Sequence, residues 1–460
     1  MTRRVTYAPL LLAAALFACG GEKEKPAAAP TPPAAPPAAK PAAPAPAASS
    51  SSLVVPSTTP TPDSLPNGLL LALAQFAVSP EGKVLPQPGA AKLEILIREG
   101  GAWKVSALED PESNVFHKVM VYPAPDGPAI LTLGGTKAAL KLWRKDGKGG
   151  FKSVATLWTK DFGGNFSRMR DAEIADVLGD GRNGLAVATH DQGVVATVVP
   201  KSNGPADSAG PGYQVTEIDA KKDTFVHEIE VGDLDGDGTI EIYATPSAPN
   251  KLDGSEQAGY VTRYVPAKKE GRSVVADLGN RHAKEILVSD VDGDGRDELY
   301  VSVEARTSGS GAATQIVEPV EILRFDAGTD PKARNLIATI DDRLLRFLTS
   351  GDIDGDGKKE MVAAGYKSGL WLLRPGADPK GNWQLQQLDR NSSGFEHAAL
   401  LTDLDGDGRD ELYVASDDQG EVRRYVWRNG GFEREVIHTR KPAGSAFTWN
   451  LMPVPVELVR

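Results

Sequence analysis

The chain has 460 residues, 40% hydrophobic and 25% charged, the proportions of a folded globular protein with room for a large core. Its formal net charge of -11 excludes a duplex nucleic acid as the main partner, because such binding rests on Lys and Arg neutralising phosphates. A single cysteine excludes any intramolecular disulfide.

The N-terminal stretch "MTRRVTYAPLLLAAALFACGGEKEK" has a basic start, an apolar run from Ala8 to Ala18 and then Cys19. The run is too short for a bilayer-spanning helix, so residues 1–18 read as an export signal. The string "LFAC" resembles the lipobox of bacterial lipoproteins, which implies lipidation at Cys19. By likeness to Gram-negative lipoproteins, Gly20 implies the outer membrane, on its periplasmic or surface side. The alternative is a plain signal peptide with an incidental cysteine. Residues 19–66 are dominated by Ala, Pro and Ser. They hold too little apolar surface to offset the entropy of ordering, and are expected to form a disordered tether ahead of a folded domain at 67–460.

From Asn67 onward the chain reads as short strands with no helical period. "GLLLALAQF", "AKLEILIREG" and "GAWKVSALE" form one group of three. "HKVMVYPAPDGPAILTLGGTKAALKLWR" and "GGFKSVATLW" form a group of four. Then comes a repeat: "ADVLGDGRNGLAVAT" in a decayed form, followed by "GDLDGDGTIEIYAT", "SDVDGDGRDELYVS", "GDIDGDGKKEMVAA" and "TDLDGDGRDELYVAS". The first aspartates, Asp176, Asp233, Asp290, Asp352 and Asp403, recur every 51 to 62 residues, which is the period of stacked units or propeller blades. The first group lacks an opening strand. The C-terminal "SAFTWNLMPVPVELV" supplies one, with Phe447, Trp449 and Leu451 matching Phe225, His227 and Ile229. The prediction is an all-β, seven-bladed β-propeller of four-stranded blades, closed where the C-terminal strand completes the first blade.

Within each full acidic loop, positions 1, 3 and 5 are Asp, position 6 is Gly and position 9 is Glu. The candidate metal ligands are Asp233, Asp235, Asp237, Glu241 and the backbone carbonyl of Thr239; Asp290, Asp292, Asp294, Glu298 and that of Arg296; Asp352, Asp354, Asp356, Glu360 and that of Lys358; and Asp403, Asp405, Asp407, Glu411 and that of Arg409. Alternate carboxylates in a tight glycine turn converge on one point, and their hard oxygens suit Ca2+. An EF-hand would need Glu at position 12, where Ala244, Val301, Ala363 and Val414 stand. Leu178 and Gly184 replace two ligands in the decayed loop, so Asp176 and Asp180 are expected to hold no metal. These units resemble the FG-GAP or VCBS repeats of bacterial surface proteins and integrin alpha-subunit propellers. The resemblance implies a propeller with calcium in the loops between first and second strands. About four calcium ions would stiffen those turns, a structural role, since a catalytic site is rarely copied four times.

Aligned on the first Asp, the residues six places earlier are Arg170, His227, Lys284, Arg346 and His397, with His117 in a looser alignment and Trp449 in the closing strand. Lys, Arg and His are only 57 of the 460 residues, so this register is used for something. One reading is a ligand-binding ring at the channel mouth, for a uronate polymer, a phosphate or an acidic peptide. The other is pairing with carboxylates of the adjoining blade, such as Glu173, Glu228, Glu285 or Glu396, to fix blade register. Two long connections, "PSAPNKLDGSEQAG" and "EARTSGSGAATQIVEP", should emerge on the same face. No nucleophile elbow, HExxH or P-loop is present. The expected function is non-catalytic recognition or scaffolding of a protein or glycan partner at the cell envelope, by a monomer. The alternative is an enzyme like the polysaccharide lyases that resemble this repeat family, acting on an acidic polysaccharide.

Overall fold

In a computed structural model of the chain, residues 54–57, 61–163, 167–201, 212–248, 258–309 and 313–460 are described. The signal segment, Cys19 and the tether up to residue 53 lie outside the described residues, as do 249–257 and 310–312 within the two long connections.

Seven antiparallel sheets form the seven blades of a β-propeller. The innermost strands of blades 2 to 7 are Phe116–Tyr122, Met169–Ala175, Phe225–Gly232, Ala283–Ser289, Leu345–Gly351 and Ala399–Thr402. Blade 1 takes its innermost strand from the C-terminus: Ala446–Pro455 pairs with Asn67–Val78, from Asn67 opposite Pro455 to Gln75 opposite Ala446, with one slip at Trp449. The predicted closure is therefore present, and it removes the open sheet edge that an unclosed ring would expose.

The burial pattern explains why the sequence reads as it does. Second strands such as Gly184–Thr189, Glu241–Ser247 and Glu298–Val303 are buried at every residue, because a blade has a neighbour on both faces there. Outermost strands such as Tyr213–Asp219 alternate or are exposed. The core is a ring of clusters, each shared by two blades. Leu71, Leu73 and Leu451 of blade 1 pack with Tyr413 and Ala415 of blade 7, which seals the seam between the chain ends. Burying each such leucine contributes about 1.5–3 kcal/mol.

The tether ends earlier than expected. Val54–Pro56 adds a parallel strand to Gly431–Thr439 of blade 7, with Val54 opposite Phe432. Thr61 and Leu65 are buried, Thr61 Oγ1 donates to Glu435 at 2.7 Å, and Arg98 Nε donates to the Pro62 carbonyl at 2.6 Å. The boundary expected at residue 66 therefore moves toward the N-terminus, because a few apolar and hydroxyl side chains find partners across the blade 7 to blade 1 seam.

Candidate functional site

Two sets of side chains stand at opposite ends of the innermost strands. The acidic loops leave the end of each inner strand in blades 4 to 7. Asp233 folds back to accept the N–H groups of Asp237 at 3.0 Å and Gly238 at 2.7 Å. Asp290, Asp352 and Asp403 accept the equivalent pairs at 3.1 and 3.0, 3.2 and 2.9, and 3.2 and 2.9 Å. The turn needs positive φ at Gly236 (71°) and Gly238 (80°), and the same glycine pair recurs in each copy. The N–H of Thr239, Arg296, Lys358 and Arg409 donates to the Asp at position 5 at 2.9 to 3.0 Å.

This backbone brings together Asp290, Asp292, Asp294 and Glu298; Asp233, Asp235 and Asp237; Asp352, Asp354 and Asp356; and Asp403, Asp405 and Glu411, each group with ligand atoms within 4.8 Å of one another. Glu241, Glu360 and Asp407 stand outside these groupings. An all-oxygen carboxylate set of this kind suits a hard divalent cation, so the residues fit the ion the loops imply. The Glu at position 9 also closes the base of its loop. Its Oε2 accepts the N–H of Leu234, Val291, Ile353 or Leu404 at 3.2 to 3.3 Å. Burial pushes the Glu298 and Glu411 carboxyls up to about 7. In the decayed loop Asp176 keeps the backbone bonds, to Asp180 at 3.0 Å and Gly181 at 2.7 Å. Leu178 there packs on an apolar cluster, and Arg182 pairs with Asp180.

Two features of these loops went unread in the sequence. One is position 8: Asp297 Oδ2 accepts the Asp233 N–H at 3.0 Å, and Asp410 Oδ2 the Asp352 N–H at 2.9 Å, so each ties its loop to that of the preceding blade. The other is an arginine on the third strand of each blade, Arg263, Arg324, Arg374 or Arg424, reaching the carboxylates at positions 3 and 9. Its signal was present in "VTRYV", "EILRF", "WLLRP" and "VRRYV".

The register six residues before the first Asp lies at the other end of the inner strand, about 20 Å away at 3.3 Å per residue. In six blades the ladder slips there. The pairing skips His117 between Phe116 and Lys118, Arg170 between Met169 and Asp171, His227 and Glu228 between Val226 and Ile229, Lys284 between Ala283 and Glu285, Arg346 between Leu345 and Phe347, and Trp449 between Thr448 and Asn450. A β-bulge re-aims a side chain out of the sheet plane. Arg346 feels the Arg170 charge although the two stand in blades 3 and 6; burial and that repulsion bring its guanidinium down to about 10.

The members differ in what holds them. Lys284 pairs with Glu304 of its own blade at 3.0 Å, and Arg346 pairs with Glu396, which precedes the inner strand of blade 7. Arg170 lies over the Trp449 ring at 5.0 Å and forms no ion pair among the described residues. His117 Nδ1 contacts the Met169 carbonyl at 2.6 Å, and its ring meets Trp449 edge-on at 4.6 Å. His227 stands edge-on to His190 at 5.2 Å. Burial and the nearby cations hold the His117 and His227 imidazoles neutral, well below their usual range. His397 is fully buried with both ring nitrogens engaged, by the Gly365 carbonyl at 2.7 Å and Ser392 at 2.8 Å. Buried polar atoms without a hydrogen-bond partner gather here: Arg170 Nε, His227 Nε2, Arg346 Nε and Trp449 Nε1.

Blade register is fixed mainly one residue further on. Asp171 accepts the Ile229 N–H at 2.9 Å, Glu285 that of Leu348 at 2.7 Å and Asn450 that of Val119 at 3.3 Å, each across a blade boundary. Below the cations, Lys118 pairs with Asp171 and Glu173, and burial raises the neighbouring Glu228 and Glu230 carboxyls well above their usual range. Of the column's cations, Arg346 makes the expected pair with a carboxylate of the next blade, Glu396, and Lys118, outside the column, makes a similar one with Asp171 and Glu173.

Fold and site define a seven-bladed β-propeller with a bulged column of His, Arg and Lys at one end of its inner strands and four acidic loops at the other. No family model matches the chain. It is 24% identical over 255 residues to the rhamnogalacturonan endolyase YesW of Bacillus subtilis (strain 168), spanning 46% of this chain and 41% of that protein. It thus covers less than half the length of this relative. Among solved structures, a Lactobacillus plantarum protein superposes with a TM-score of 0.50 at 11% identity, covering 84% of this chain and 99% of that one, a likeness of fold. An Agrocybe aegerita lectin recognising non-reducing terminal N-acetylglucosamine superposes with a TM-score of 0.47 at 15% identity, covering 85% and 95%.

Proposed function

We propose that the protein is a propeller of the FG-GAP or VCBS type, stabilised by Ca2+ in the loops of blades 4 to 7, that recognises an acidic glycan at its channel mouth. Lipidated Cys19 would hold it at the outer membrane. The supporting observation is the bulge repeated in six blades, which leaves buried nitrogens of Arg170, His227, Arg346 and Trp449 without hydrogen-bond partners. The N–H groups among these, at Arg170, Arg346 and Trp449, are costly to bury without acceptors, and carboxylates entering the mouth would satisfy them. In the acidic loops, calcium would neutralise clustered carboxylates at sites remote from the ligand, with Asp233, Asp290, Asp352 and Asp403 anchoring each turn.

The experiment is retention of the calcium-loaded protein on immobilised acidic and neutral polysaccharides, with Arg170→Gln as the variant. Arg170 has no ion-pair partner to orphan, so the variant should melt like the wild type. Retention on the acidic polymer, lost in Arg170→Gln, supports the reading. Equal retention of both proteins, or none, rejects it and turns the search to protein partners. The similarity to a rhamnogalacturonan endolyase favours a second reading, cleavage of such a polymer. Arg170, Lys284 and Arg346 would then hold the uronate, and neutral His227 would take the proton. An unsaturated product absorbing in the near ultraviolet would distinguish lyase from binder.

A further inference from the structure

Each acidic loop of blades 4 to 7 carries its own organic cation. Arg324 is buried at 2% exposure, with Nη2 2.7 Å from Asp292 Oδ2 and 3.3 Å from Glu298 Oε1, and Nε 2.6 Å from Asp326. Arg424, at 3% exposure, places Nη2 2.9 Å from Asp405 and 2.5 Å from Glu411, with Nε on the Tyr413 hydroxyl at 3.2 Å and Nη1 on Thr61 at 3.1 Å. Arg263 and Arg374 reach the position-3 carboxylate more loosely, at 3.5 Å to Asp235 and 3.7 Å to Asp354, although Arg263 sits hard against Glu241. The decayed loop of blade 3 has Leu178 at position 3, and the matching third-strand residue is Thr197, paired with Ala186 as Arg324 is with Tyr300. The arginine and the position-3 carboxylate are thus lost together.

We propose that the third-strand arginine is a resident counter-ion that holds the loop carboxylates in place before any metal enters, and that it competes with calcium for the carboxylate at position 3. The inference rests on the calcium reading above. A guanidinium hydrogen-bonded to two ligands adds positive charge beside the ion and occupies lone pairs that the ion would use. It also offsets the mutual repulsion of three aspartates and a buried glutamate, which would otherwise weaken the calcium-free fold. At the position-3 carboxylate, the close contacts in blades 5 and 7 and the longer ones in blades 4 and 6 make two classes of loop.

The test is calorimetric titration of calcium into the full, metal-stripped protein, together with calcium-free melting, for wild type, Arg324→Gln and Arg324→Lys. Arg324→Gln should bind calcium about tenfold more tightly at one site, melt several degrees lower without calcium, and show the larger calcium-induced rise in Tm. Arg324→Lys, which keeps the charge, should fall between. If Arg324→Gln fails to fold without calcium, recovery on calcium addition supports the proposal and failure to recover overturns it. Unchanged or weaker calcium binding in Arg324→Gln also overturns it, by making the arginine a support for the ion. A wild type that binds no calcium fails the calcium reading itself, and with it the competition. The calcium-free melts of the three proteins would still show whether the counter-ion role stands.

Discussion

At the scale of single residues, position 8 explains a choice that looks arbitrary in the repeat. Gly232 and Gly351 precede the first Asp in blades 4 and 6, whereas Ser289 and Thr402 do so in blades 5 and 7. A Cβ on Gly232 would meet Val288 Cγ1 at 2.3 Å and Asp297 Oδ2 at 2.8 Å; one on Gly351 would meet Asp410 Oδ2 at 2.4 Å. After blade 5 the position-8 residue is Lys359, whose Nζ donates to Ser289 Oγ at 3.0 Å, so a hydroxyl is wanted there. Gly232→Ala should therefore destabilise the fold by about 1–3 kcal/mol through overpacking. A melt of Gly232→Ala indistinguishable from wild type would count against the Asp297 bridge. The four carboxylates of each loop were legible because they repeat. The bridge was not, because it pairs residues of different repeats and no single copy contains both partners.

The buried carboxyls set a pH dependence of definite sign. Burial pushes Glu285 up to about 8, and Glu228 and Glu230 also rise. Between about 4.5 and 8 the folded chain keeps a proton that the unfolded chain releases. Stability therefore falls as pH rises through that window, by about 1.4 kcal/mol per pH unit for one such proton. The histidines act oppositely: His117, His190 and His227 are depressed, so they cost stability as pH falls below about 6.5. From pH 6.5 to 8 the carboxyls dominate this set, and Tm should drop. Glu285→Gln keeps an acceptor for the Leu348 N–H and should drop less; identical profiles for the two proteins would refute the assignment.

At the scale of elements, the strand pattern, blade count and closing strand were readable because burial on both faces writes unbroken apolar runs into second strands and alternation into outer ones. The basic register was also visible, as a column of His, Arg and Lys. Its cause was not: a bulge is a property of two paired strands, and the sequence of one strand carries no sign of it. The structure divides a column that looked uniform. His397 belongs to the packing of blade 7, Arg346 and Lys284 are ion-paired, and Arg170 has only the Trp449 face. The third-strand arginines repeat as plainly as the aspartates. They were passed over because an arginine in a strand reads as a solvated edge until its carboxylate partners are known.

For the whole molecule, charge and closure act together. Thr61 and the C-terminal strand lie at the blade 7 to blade 1 seam, where Thr61 links Glu435 and Arg424 beside the blade 7 acidic loop. A net charge of -11 opposes the approach of a polyanion, while calcium at four loops would add eight positive charges. Binding of an acidic glycan should therefore strengthen with calcium and weaken with salt. The most direct test of the account is calorimetric titration of a uronate oligosaccharide into calcium-loaded wild type and Arg170→Gln at two ionic strengths. The account predicts saturable binding to wild type that weakens with salt, and about tenfold or greater loss in Arg170→Gln at unchanged Tm. No heat of binding to wild type, or equal affinity in the two proteins, would contradict a ligand site at the channel mouth.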